Sequence, residues 1–154
     1  MIAALRSSFN REFTQANYLS FLADLDSKHP GAIDFRVAET PLFVDKDFKN
    51  KLVHACESIV DLLCDPSFHS VTERAIPHGE KVPGETPFAQ MISFDFGICE
   101  NKEGALEPQL IEMQGFPTLY AFQSYYPEVL QKHFTLPAGF SHYFNGYTQD
   151  TYIQ

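Results

Sequence analysis

The feature that most constrains the fold is a pair of alternating segments joined by a short polar turn. Residues 91–99 read MISFDFGIC and residues 107–114 read EPQLIEMQ, with residues 100–104 between them. Alternation of apolar and polar residues is typical of strands that bury one face. So short a connection predicts an antiparallel β-hairpin, with the second strand expected from Gln109.

The register of this hairpin follows from its turn. If the turn centres between Glu103 and Gly104, Asp95 lies opposite Glu112, with their Cβ atoms about 4.5–5.5 Å apart. Period-two alternation then divides the side chains between two faces. The expected core face carries Ile92, Phe94, Phe96, Ile98, Ile111 and Met113. The other face carries Ser93, Asp95, Gly97, Glu112 and Gln114, with Ser93 opposite Gln114.

The second face brings two carboxylates and an amide oxygen together. Opposed like charges destabilise a sheet, so a cation, a shared proton or solvent exposure is expected to offset the repulsion. Hard oxygen donors suit Mg²⁺, which commonly binds one or two carboxylates together with water and phosphate oxygens. The alternatives are a solvated acidic face and a pair of glycosidase carboxylates.

Three short segments share a recognisable order and spacing: residues 94–96 (FDF), 109–114 (QLIEMQ) and 117–119 (PTL). Together they resemble the glutathionylspermidine synthase-like branch of the circularly permuted ATP-grasp ligases. The resemblance implies that Asp95, Glu112 and Gln114 bind the magnesium of Mg-ATP, and that Gly115 and Thr118 contact phosphate or substrate. It implies a ligase that joins a carboxylate to an amine through an acyl phosphate, and it assigns no catalytic residue.

The chain departs from that family in ways that leave a second function open. Ser93 stands where the family has arginine, Gln114 replaces asparagine, and the connection from Glu112 to Pro117 is one residue shorter. After Lys102 the sequence has only Lys132 and no arginine, whereas the family's nucleotide-binding lysines follow the motif. The alternative is a non-catalytic binding or assembly domain, or a degenerate relative of the ligases.

The last residues of the sequence lead us to expect that the chain is the N-terminal part of a longer protein. Thr148 or Asp150 is a helix N-cap candidate followed by one apolar turn, and a single turn cannot offset the cost of helix nucleation. Residues 1–90 are expected to form a substrate-side, pre-grasp region, and residues 91–154 to begin the ATP-grasp core. The expected partners are small carboxylate and amine substrates, the C-terminal remainder, or a second copy in a homo-oligomer.

Helices and strands elsewhere predict a mixed α/β fold with N-terminal helices. One helix is expected at about Thr14 to Lys28, with Phe13 packing on Tyr18. A second should begin at Asp45 or Asp47 and end before Asp65, and a third should follow Pro117, be broken or restarted at Pro127 and fade near Phe134. A short strand is expected at residues 33–37, a long loop at residues 65–90 and a turn at residues 145–146.

The net charge of −9 argues against partners that carry phosphate on their surface, such as nucleic acid or an anionic membrane. Three cysteines without a leader-like start favour reduced thiols in a cytoplasm, and all three are expected to be buried. Residues 79–86 (GEKVPGET) mimic a phosphate-binding loop, but Glu85 replaces its lysine and Pro83 lacks an amide donor. The histidine and cysteine spacings do not predict a zinc site.

Overall fold

The computed structural model describes residues 1–116 and 119–152. Within them it has six α-helices, one 3₁₀ turn at Glu73–Ala75 and one two-stranded antiparallel sheet, which confirms the mixed α/β class. The helices and strands, in chain order, are α1 (Ala3–Glu12), α2 (Gln15–Ser27), α3 (Lys46–Leu63), α4 (Phe68–Thr72), β1 (Ser93–Glu100), β2 (Leu106–Gln114), α5 (Tyr120–His133) and α6 (Gln149–Tyr152). No helix among the described residues is long and apolar enough to cross a membrane.

The chain divides into two compact units. The first comprises residues 1–43 and 118–154, and the second comprises residues 44–117. The second unit thus contains the whole of the hairpin together with α3 and α4. The predicted division at residues 90 and 91 falls inside this second unit.

The core of the first unit is built on aromatic side chains from α1, α2 and α5. Phe21 of α2 is fully buried, and its ring meets Phe134 at 6.2 Å and Tyr126 edge-on at 5.5 Å. Hydroxyl groups anchor this core to loop backbone, because Tyr18 donates to the carbonyl of Val37 at 2.7 Å. The apolar stripe of α2 therefore holds both α5 and an irregular segment in place.

Two predicted helix starts are confirmed by their caps. The Thr14 hydroxyl accepts from the backbone N–H of Asn17 at 3.2 Å, and the ring of Phe13 lies 5.9 Å from that of Tyr18. An Asp45 carboxylate oxygen accepts from the N–H of Phe48 at 2.8 Å. Each cap satisfies one of the amide donors that a helix N-terminus leaves unpaired.

Residues 33–37 do not form a strand, so that prediction was wrong. They run as an irregular segment in which Val37 is buried in the core. Alternating apolar residues can bury one side of any extended segment, whether or not it pairs with a strand. Here the carbonyl of Val37 accepts from the Tyr18 hydroxyl instead of from the N–H of a neighbouring strand. Helix α1 was not predicted, and α4 with its following 3₁₀ turn interrupts the expected loop at residues 65–90.

Helix α5 passes through Pro127 instead of breaking there. It begins at Tyr120, after Leu119 in the left-handed region at φ 61°, whereas the proposed first-turn residue Pro117 lies outside the described residues. The predicted turn at residues 145–146 is confirmed, with φ of 53° and 79° and a 3.0 Å bond from the N–H of Tyr147 to the carbonyl of Phe144. Helix α6 begins directly after Thr148.

Replacing Phe21 with alanine should destabilise the first unit severely. The ring is 0% exposed, so its removal leaves a cavity and should lower the free energy of unfolding by about 3–5 kcal/mol. Leu19 on the same helix is 56% exposed, and Leu19→Ala should change it by less than about 0.5 kcal/mol. Urea unfolding followed by circular dichroism measures both variants, and equal losses would contradict this core.

Candidate functional site

The hairpin is closed by a three-residue turn that Asn101 organises. Its side-chain oxygen accepts from the N–H groups of Glu103 at 3.0 Å and Ala105 at 2.9 Å, and its amide donates to Glu107 at 2.9 Å. The N–H of Asn101 donates to the carbonyl of Ala105 at 2.9 Å, and Gly104 takes the positive φ of 78° that this turn requires. Asn101 is a structural residue that the sequence reasoning missed, although asparagine before a turn glycine is a recognisable signal.

The predicted pairing of the site residues is confirmed. Asp95 lies opposite Glu112 and Ser93 lies opposite Gln114. On the turn side the register differs by one residue, since Phe96 faces Leu110 and Gly97 faces Gln109. The turn is therefore centred on Glu103, and a β-bulge at Ile111 adds the residue that the prediction had placed in the turn.

The bulge is what brings the two carboxylates together. If the ladder ran on from the turn without it, Asp95 would face Ile111, and Glu112 would pair with Phe94 on the aromatic face. The extra residue restores Glu112 to the same face as Asp95. The bulge in β2 thus determines that both carboxylates lie on one face of the hairpin.

Ile111 is displaced from the apolar face, which corrects the predicted core face. A Cβ built on Gly97 would lie 3.7 Å from the Cδ1 of Ile111, so Ile111 covers the glycine on the acidic face. Ile111 is 71% exposed and Met113 is 42% exposed, whereas Phe94, Phe96 and Ile98 are half-buried. The apolar face is thus only partly covered by the described residues, even though α3 packs against β2.

The two candidate carboxylates are exposed, and Gln114 is half-buried. Among residues 1–116 and 119–152, neither Asp95 nor Glu112 has a salt bridge, and the hydrogen bonds of this region involve Asn101, Glu107 and the backbone instead. Within this part of the chain, no ion pair offsets the repulsion between them. Gly115 lies beside the Cβ of Ala89 and the carbonyl of Met91, and Thr118 lies outside the described residues.

The donor set suits a hard divalent cation. Two carboxylates and a nearby amide oxygen supply oxygen ligands only, which is the chemistry that Mg²⁺ prefers. In the described part of the chain no group of three His, Cys, Asp or Glu side chains is arranged to hold a metal ion. Any cation here would depend on two carboxylates, with its remaining ligands from water, an amide or a bound phosphate.

The loop that mimics a phosphate-binding motif has a different structure. Residues 76–92 contain no strand, and residues 81–87 line a wide, open concavity of about 640 Å³ together with His69. Lys81 donates to a Glu73 carboxylate oxygen at 2.6 Å, which lowers the pKa of Glu73 and raises that of Lys81. The lysine of this loop is therefore already engaged by a carboxylate.

The cysteines are free thiols that differ in burial. Cys56 on α3 is half-buried, and loss of solvation raises the pKa of its thiol. Cys64 and Cys99 are exposed, so the prediction that all three are buried was wrong for these two. Cys64 follows the last residue of α3, and Cys99 lies near the end of β1, where the ladder leaves side chains open to solvent.

Comparisons with protein-family models, with curated proteins and with solved structures gave no match. The geometry of the hairpin therefore supplies the structural argument about function.

Neutralising one carboxylate should stabilise the hairpin at low salt. Asp95→Asn removes a like-charge pair of directly opposed residues and should raise the free energy of unfolding by roughly 0.2–1 kcal/mol. The gain should vanish at 1 M salt, where the Debye length falls to about 3 Å.

The matched control for this variant is Glu103→Gln, which removes an exposed charge in the turn that faces no other strand residue. In urea unfolding, Glu103→Gln should change the free energy of unfolding by less than Asp95→Asn does at low salt, and by close to zero at 1 M salt. A loss of stability in Asp95→Asn would contradict this account, because it would show that the Asp95 carboxylate makes a stabilising interaction that outweighs its repulsion from Glu112.

Proposed function

We propose that this chain is the N-terminal part of an ATP-grasp-like ligase that joins a carboxylate to an amine through an acyl phosphate. The supporting observation is the cross-strand pairing of Asp95 with Glu112, both exposed and on one face. The family resemblance supplies the reaction class, and the structure supplies a donor set of matching chemistry. A cytoplasmic location belongs to the same proposal and agrees with the free thiols.

In this proposal Asp95 and Glu112 hold the Mg²⁺ of Mg-ATP, with Gln114 as a neutral oxygen donor. Mg²⁺, when bound, would offset phosphate charge and polarise the phosphate oxygens. Asp95 and Glu112 would fix the position of the nucleotide's phosphate end. The bulge at Ile111 keeps the two carboxylates opposed, and Gly115 and Thr118 would add contacts to phosphate or substrate.

The test uses Mn²⁺, whose unpaired electrons broaden the NMR signals of nearby amides. Substoichiometric Mn²⁺ added to the ¹⁵N-labelled chain should broaden the amide signals of residues 93–97 and 111–115 before those of other acidic segments. Excess Mg²⁺ should reverse the broadening, because both ions bind the same oxygen ligands. Mg-ATP added to the full-length protein should then give a calorimetric heat that depends on the same carboxylates.

The variant Asp95→Asn/Glu112→Gln should lose both the local broadening and the heat. The matched control Glu85→Gln/Glu103→Gln also removes two exposed charges, and it should retain both. Broadening spread evenly over the acidic residues, or centred on the turn, would overturn the assignment of the metal site. Localised Mn²⁺ without any heat from Mg-ATP in the full-length protein, which supplies the downstream lysines, would overturn the assignment of the nucleotide as the ligand.

A second candidate function is a non-catalytic binding or assembly domain. The observation that favours it is that the second unit exposes large apolar side chains, whose burial by a partner would be stabilising. They are Leu62, Val71, Val82, Phe88, Met91, Leu110, Ile111, Met113 and Phe116. Absence of local Mn²⁺ binding, combined with self-association of the chain, would favour this function over the ligase.

A further inference from the structure

The two outer edges of the hairpin differ in their capacity to accept another strand. Antiparallel pairs alternate between residues that exchange hydrogen bonds and residues whose N–H and C=O groups point outward. The bond from Asn101 to Ala105 sets the phase of this alternation. It follows that Phe94, Phe96 and Ile98 direct their backbone groups to the outer edge of β1, and that Leu106, Pro108 and Leu110 do so on β2.

The edge of β2 is closed to further pairing. Pro108 has no N–H to donate, and the carbonyl of Leu106 accepts from the Lys51 ammonium group at 3.1 Å. The bulge at Ile111 twists the same strand. Proline, lysine and bulges are the devices by which proteins protect an exposed strand from pairing.

The edge of β1 has none of these protections. Its residues 93–100 contain no proline and no bulge, and no described residue gives a backbone or side-chain hydrogen bond to the outward groups of Phe94, Phe96 or Ile98. The rings of Phe94 and Phe96 stack 6.4 Å apart at 24°, which forms a flat apolar strip along one face. A two-stranded hairpin is marginal alone, and additional strands would stabilise it.

A second copy of β1 fits this edge without opposing like charges. With a two-fold axis at Phe96, Phe94 faces Ile98 of the second copy, and Asp95 faces Gly97. The two neighbouring registers, each reached by sliding one copy by two residues, are less favourable. One places Asp95 opposite Asp95 of the second copy, so that like charges repel. The other places Gly97 opposite Gly97, so that no side chains pack there.

We propose that β1 pairs antiparallel with β1 of a second copy, forming a four-stranded sheet in the order β2–β1–β1–β2. The pairing follows from the backbone edge and is independent of any metal site. It is a two-fold, isologous contact, the commonest kind in homo-oligomers. Because each copy carries a net charge of −9, added salt should strengthen the association by screening the repulsion.

The first test is sedimentation analysis of the full chain at 1–100 µM. We expect a monomer–dimer equilibrium whose dissociation constant falls as salt is raised. Phe96→Pro removes an outward N–H from each copy while leaving the β1–β2 ladder bonds, and it should weaken association by roughly 10–100-fold. Leu110→Pro is the matched control, since it removes an outward N–H directly opposite on the closed edge and should leave the association unchanged.

Amide hydrogen exchange of the unmodified chain provides a second test that requires no variant. Protection at Phe94, Phe96 and Ile98 should increase with protein concentration, whereas protection at Leu110 and Met113 should not. A monomer at 100 µM in 0.5 M salt would overturn the proposal. So would a dimer that leaves the β1 amides unprotected, or an association that weakens as salt is added.

Discussion

The pairing of Asp95 with Glu112 fixes which side chains share a face of the hairpin and which backbone groups reach its edges. It results from two local features that act together. Asn101 closes a turn centred on Glu103, and the bulge at Ile111 shifts the register by one residue beyond Phe96. Without that shift the two carboxylates would lie on opposite faces, because a slip of one residue inverts the side chains of a strand.

The two carboxylates of the acidic face destabilise the hairpin, and they also offer ligands for a cation. Two opposed carboxylates without a described salt bridge weaken the sheet, and they also leave oxygen ligands free for a hard cation. The apolar face has the converse property, since its exposed Leu110 and Met113 side chains favour burial by another surface. The hairpin therefore carries both the candidate cation site and the candidate pairing edge of this chain.

Local patterns were sufficient to predict much of this structure. Side-chain caps marked the starts of α2 and α3, and alternation marked both strands and the pairing of Asp95 with Glu112. The bulge was not predictable, because one extra residue in the turn or in β2 gives the same pairing at Asp95. The segment 33–37 was misread because alternate burial of an extended segment does not require a neighbouring strand. Exposure of Ile111 and Met113 depends on tertiary contacts that periodicity does not contain.

The most direct test is the set of cross-strand Hα–Hα nuclear Overhauser effects in the hairpin. Close Hα pairs occur at the positions that do not exchange hydrogen bonds. The structure predicts strong effects between Phe94 and Met113 and between Phe96 and Leu110, which together require the bulge and the pairing of Asp95 with Glu112. A strong effect between Phe96 and Ile111 would contradict the bulge. A strong Hα–Hα effect between Phe94 and Glu112 would place the two carboxylates on opposite faces and remove the basis for the candidate site.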